Sequence, residues 1–145
     1  MHTKDLHDNI KVSTALEAQV IDSDDTFEGE TIDTQGFGST EFLFTAGELA
    51  DGIFTAVLME SDEVDEENAL VDPAVVNAIE GADDLLGTLP VLQNDDGDDS
   101  GLTKKVGYKG SKRYLRFDVV STATTDGGIV GALAVQDSAR NAPVS

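Results

Sequence analysis

The chain has 145 residues, 39% of them hydrophobic and 6% aromatic, and a formal net charge of −20. That length suits one domain around a single core, and so acidic a body excludes a nucleic-acid partner, whose phosphates need a broad basic surface. The absence of cysteine excludes disulfides and thiolate metal sites.

Residues 1–25 read as an extended N-terminal arm. The opening MHTKDLHDN is polar and is not expected to act as a secretory leader. Leu6, Ile10, Val12, Leu16 and Val20 follow neither the helical nor the strand period, which allows a short strand near 10–13 or a frayed helix near 14–19. A β domain is expected over 26–138, followed by a polar tail over 139–145. Within it, 30–33 is a possible strand closed by a turn at Gln35-Gly36-Phe37-Gly38. Over 40–45 the alternation sets Thr40, Phe42 and Phe44 on one face. A turn is expected at Ala46-Gly47-Glu48. Residues 53–59 are apolar in both phases, as in a strand covered on two sides.

An acidic loop occupies 60–67. Helix signals follow it: Asp72 as N-cap, Pro73 at the first helical position, Gly81 as terminator, with Val75, Val76 and Ile79 on one face. Gly87 and Pro90 break 85–92 into an edge or irregular segment, and 94–101 is an aspartate-rich loop. Residues 112–120 alternate cleanly, 124–128 make a turn, and 129–136 form a small-residue core strand. The longest apolar run, at 129–135, is far too short to span a bilayer. The expected fold is mainly β: a single-domain β-sandwich or jelly-roll-like body with about six strands, one short helix and the arm.

The sequence offers little catalytic chemistry. His2 and His7 lie in the arm, so a Ser-His-Asp triad would have to borrow its base from outside the core. Carboxylates are abundant, but the absence of tryptophan leaves a saccharide cleft without its usual stacking surface. The run Asn94–Ser100 resembles a calcium loop only superficially, because an EF-hand counted from Asn94 would place Gly97 fourth and Lys105 twelfth. At most it makes an adventitious Ca²⁺ or Mg²⁺ site from Asp95, Asp96, Asp98 and Asp99, and no cofactor is expected. Gly107-Tyr108-Lys109-Gly110-Ser111-Lys112 lacks phosphate-loop spacing, and a strand, not a helix, follows it. The chain therefore reads as non-enzymatic.

Charge is unevenly laid out. No Lys or Arg lies between Val12 and Thr103, and six of the nine basic residues fall between Lys104 and Arg116. That basic stretch either meets an acidic partner or neutralises the protein's own acidic loops.

Several segments carry a family resemblance: Asp5-Leu6 with Asn9-Ile10-Lys11-Val12, Thr31-Ile32-Asp33-Thr34-Gln35-Gly36-Phe37, and Leu85-Leu86-Gly87-Thr88-Leu89-Pro90. Lys105-Val106-Gly107-Tyr108-Lys109-Gly110-Ser111-Lys112-Arg113-Tyr114-Leu115-Arg116 and Ala139-Arg140-Asn141-Ala142-Pro143-Val144 complete the series. In this order the chain resembles a family of small virion structural proteins of tailed bacteriophages, although its acidic stretches 61–68 and 94–100 are longer and more charged. The resemblance implies a capsid decoration (cement) protein, made in the host cytoplasm, that binds the outside of the head and bridges major capsid protein subunits. Such a protein is expected to form a homo-oligomer and to contact neither nucleic acid nor membrane. The residues expected at its partner surfaces are Ile10, Lys11, Val12, Lys105, Tyr108, Lys109, Lys112, Arg113, Arg116 and Arg140. A head–tail connector or tail terminator, and a virion carbohydrate-binding module, are the rival readings.

Overall fold

The computed structural model describes residues 6–76 and 84–138. A single turn of helix, α1 (Leu6–Asn9), leads into β1 (Ile10–Ile21), β2 (Thr26–Phe27), β3 (Thr31–Asp33), β4 (Phe37–Leu49), β5 (Gly52–Ser61) and β6 (Ala74–Val75). There follow β7 (Leu85–Leu86), β8 (Val91–Asp95), β9 (Gly97–Asp98), β10 (Thr103–Tyr108), β11 (Tyr114–Thr122) and β12 (Gly128–Ser138). The mainly β expectation holds.

Four sets of antiparallel partners nest within one another along the chain: β1 with β12, β2 and β3 with β11, β4 with β10, and β5 with β8. Pairing of β12 with β4 then closes one sheet, in the order β1-β12-β4-β10-β7. Pairing of β11 with β5 closes the other, β2-β11-β5-β8-β9, with β3 on β11 and β6 on β5. A long hairpin rolled up in this way into two facing sheets is a jelly roll, so topology selects between the two architectures that patterning left open.

The core lies between the sheets and follows the alternation. Phe42 and Phe44 of β4, Phe54 and Leu58 of β5, and Leu115, Phe117 and Val119 of β11 are fully buried. The Phe117 ring lies 5.5 Å from that of Phe42 and 5.4 Å from that of Phe44, joining the two sheets through aromatic contact. On β5 only the face of Phe54, Ala56 and Leu58 is sealed; Ile53, Val57 and Met59 on the other are half-buried, so the expectation of a strand covered on both sides does not hold.

The structure corrects four other expectations. The arm is a sheet strand over most of its length: β1 pairs with β12 from Ile10 to Ile21 and buries Ala15, Leu16 and Ile21. Its period is hidden because register shifts between Thr14 and Leu16, and again between Leu16 and Gln19, change which face successive residues meet. The helix expected from Asp72 does not begin there. Asp72 has φ +46°, and Ala74 and Val75 pair with Glu60 and Met59; cross-strand bonding to β5 overrides the capping signal, and the rest of that segment lies outside the described residues. The turn expected at 46–48 is continuous strand, because β4 runs on to Leu49 against β12 and the chain reverses at 50–51. Among the described residues twelve strands replace about six; the excess includes the two-residue pieces β2, β6, β7 and β9, held by main-chain pairing without a hydrophobic alternation to announce them, and the six-residue β10.

Two glycines permit the sheets to close. A Cβ on Gly29 would overlap the carbonyl oxygens of Ala15 and Phe117, where the Glu30 amide donates to the Ala15 carbonyl at 2.7 Å. Gly127 has φ +65° and lies against the Ile21 carbonyl, a place with neither the torsional nor the steric room for a side chain. The same turn is held by Asp51, whose carboxylate accepts from the amides of Thr125 (2.8 Å), Asp126 (3.0 Å) and Gly127 (2.9 Å). These bonds hold the Asp51 carboxyl below the usual carboxylate range. A depressed folded-state pKa contributes stability above the unfolded value, and this is lost as pH falls through the folded one. Asp51→Asn is therefore expected to melt below the wild type at pH 7, with the gap narrowing once pH falls below about 4. Paired thermal melts from pH 7 to pH 2.5 check this; a gap that is constant with pH contradicts it.

Candidate interaction surfaces

Three surfaces have the chemistry of contact: the basic stretch, the free edge of β1, and the outward face of the β1-containing sheet. The basic stretch is largely neutralised within the molecule. Arg113 grips Asp33 with two bonds of 2.9 Å, which hold the Asp33 carboxyl below its usual range. Lys112 meets Asp62 at 2.8 Å, and its own pKa rises through that hydrogen bond. Arg116 makes two 2.8 Å bonds to the nearly buried Asp118 and approaches Glu28 at 3.3 Å. Lys104 donates to the Val91 carbonyl at 2.8 Å and lies 3.8 Å from Asp99. Tyr108 is buried, donates to Glu60 at 2.8 Å and accepts from the Lys112 amide; burial, then the Glu60 bond, raises its pKa. Neutralisation of the protein's own acids is thus the main occupation of this stretch. Lys105 and Lys109 remain exposed, with no ion pair among the described residues. Arg140 lies outside them.

Ile10, Lys11 and Val12 fall at the start of β1, which is an edge strand. Lys11 lies over the Phe37 ring, 5.7 Å from its centroid, and Val12 is 53% exposed. The outer edge of β1 is met by the Glu30 amide at Ala15. Among the described residues, 10–14 make main-chain pairings with β12 alone. A free strand edge can accept another strand.

The outward face of the same sheet is apolar. Val12 and Val20 from β1, Ile129, Leu133 and Val135 from β12, and Leu43 from β4 occupy its outward positions. Leu133 sits in register between Thr14 and Leu43, and Ile129 beside Val20. Sequence reasoning missed Ile129 and Leu133 as surface residues because β12 reads as a core strand. The available signal was its two phases: Val130, Ala132, Ala134 and Gln136 turn inward, while the bulkier Ile129, Leu133 and Val135 turn outward.

The aspartate-rich segment is a hairpin. Asp98 accepts from the Ser100 hydroxyl and amide, which lower its pKa, and Asp99 accepts from the Gln93 amide at 3.0 Å. Asp95 and Asp96 are exposed at its tip. Among the described residues no group of three or more His, Asp or Glu side chains is placed to hold a metal ion. His7 is exposed on α1, and His2 lies outside the described residues. No helix among the described residues is long and apolar enough to cross a membrane.

No protein-family model and no curated protein matches the sequence. Among solved structures, the chain is similar to one in the structure of the infectious bursal disease virus Gx strain, with TM-score 0.42 and 13% identity over 92% of this chain. It is also similar to a chain of T=1 particles derived from infectious bursal virus, with TM-score 0.24 and 14% identity over 93% of this chain. The chain spans 34% and 40% of the lengths of those two chains. Similarity this low assigns no function.

Proposed function

We propose that the protein is a non-enzymatic virion structural protein of a tailed bacteriophage, acting as a capsid decoration (cement) protein that binds the outside of the head and bridges major capsid protein subunits. The observation that carries this reading is the jelly-roll body whose β1, over 10–14, pairs among the described residues with β12 alone. Such an edge accepts an extended segment of a neighbour through main-chain bonds, while the acidic loops stay in water. Lys105 and Lys109, which pair with no acid among the described residues, supply cationic contacts to the capsid. The jelly-roll architecture supports the reading by analogy, since it recurs in viral capsid domains, though also in lectins and other proteins.

Purified protein is expected to add to particles lacking it at many symmetry-related positions on the outer surface, as imaged by electron microscopy. Absence of binding from low to high salt contradicts the proposal. A low copy number confined to one vertex would favour a connector or tail terminator instead.

A further inference from the structure

The outward face of the β1-β12-β4-β10-β7 sheet has the composition of a buried surface and, among the described residues, no cover. Val20 is 61% exposed, Val12 53%, Ile129 46% and Leu133 40%. A sheet with one face in water normally places polar residues there, and single exposed apolar residues are common, but a contiguous patch marks a contact. Glycines interrupt the side chains of this face. A Cβ on Gly131 would strike Ala18, one on Gly107 would strike Glu41 and Leu86, and one on Gly47 would touch Ile129. Side chains of neighbouring strands therefore lie across bare backbone, as suits sheet-on-sheet packing.

Charge narrows the occupant. Over positions 41–45, 103–107 and 131–137, strand alternation leaves Glu41, Asp137 and Lys105 as the outward charges, and the exposed Glu17 and Glu48 flank the patch at the register shifts of β1 and β4, a small part of the net charge of −20. Two chains this acidic repel wherever their loops meet; here each presents a mainly apolar, only mildly acidic surface, with a lysine and carboxylates available for exchange across a two-fold. The area of the patch lies near the lower limit for such an interface. Strand spacing of about 4.8 Å and a rise of about 3.3 Å per residue give roughly 400 Å² per copy. With its polar rim, that approaches the total of about 1,000 Å² expected of a small specific interface.

We propose that this face is the interface between two copies of this chain, packed sheet against sheet in a reversible dimer. Because salt screens the repulsion between the acidic bodies, the dimer tightens as salt rises, whereas attachment through charge alone weakens. The dimer forms from the purified chain, independently of any capsid.

Sedimentation of the full chain from about 1 to 200 µM, at low salt and at about 1 M salt, is expected to show a monomer–dimer equilibrium that shifts toward dimer with salt. Leu133→Glu and, separately, Ile129→Glu are expected to remain monomeric throughout, with the circular dichroism and melting temperature of the wild type showing that they fold. The chain has no cysteine, so a single Leu133→Cys reports directly. It is expected to cross-link through a short bismaleimide, whereas Thr122→Cys, on the other sheet, does not. A monomer at every concentration and salt overturns the proposal. So does a dimer that survives both glutamates, or one that cross-links through Thr122→Cys in place of Leu133→Cys.

Discussion

Phe117→Ala is expected to destabilise the protein by about 3–5 kcal/mol, the largest effect of any single core truncation. Phe117 is fully buried on β11, and its ring meets Phe42 and Phe44 on the opposite sheet. Truncation removes the transfer energy of the ring and leaves a cavity between two strands whose hydrogen bonds prevent collapse. It also removes two aromatic pairs, each contributing about 0.5–1.5 kcal/mol beyond area burial, a contribution already partly inside the range for the whole truncation. Phe117→Leu keeps much of the volume and is expected to lose clearly less. Urea unfolding followed by circular dichroism measures both variants. A loss below about 1 kcal/mol for the alanine variant would mean that the sheets can close over the gap.

Asp118→Ala is expected to cost a similar amount, about 3–5 kcal/mol, for a different reason. Arg116 and Asp118 lie two residues apart on the same face of β11, with side chains 15% and 5% exposed. Asp118 also accepts from the Gly29 amide at 3.2 Å, which ties the 28–30 crossing to β11. Removing the carboxylate strands a mostly buried guanidinium with the exposed Glu28 and takes the acceptor from Gly29. The combined Arg116→Met, Asp118→Leu variant removes both charges and is expected to recover most of the loss, since an apolar pair of similar size can replace a buried ion pair. A double-mutant cycle on unfolding free energies decides: if the two single changes simply add, the pair is not coupled.

These expectations concern residues that the sequence exposed in part. The inward phase of β4 and β11 was legible because each strand is regular and faces a core on one side, so Phe42, Phe44, Leu115 and Phe117 declare themselves by alternation. β1 was not, because its register shifts interrupt the period. Nor was the strand at Ala74–Val75, where the Asp72-Pro73 pair is locally a helix start and only the neighbouring β5 makes it a strand. At the surfaces, Ile10, Lys11 and Val12 were singled out from sequence as part of an arm, and the structure places them at the start of an edge strand. For Arg113 and Arg116 the sequence left partner contact and self-neutralisation both open, because nothing in it shows that Asp33, 80 residues away from Arg113, will lie within 3 Å of it.

By itself the sequence determined a cysteine-free, mainly β chain of extreme negative charge, with its large side chains spaced for one core; these properties follow from composition and short-range periodicity. The tertiary structure alone decided that the body is a jelly roll, that the basic stretch mostly neutralises its own acids, and that β12 shows an apolar face outward as well as inward. Each depends on which distant strands pair and which face of a sheet the other sheet covers, and no local pattern encodes that choice.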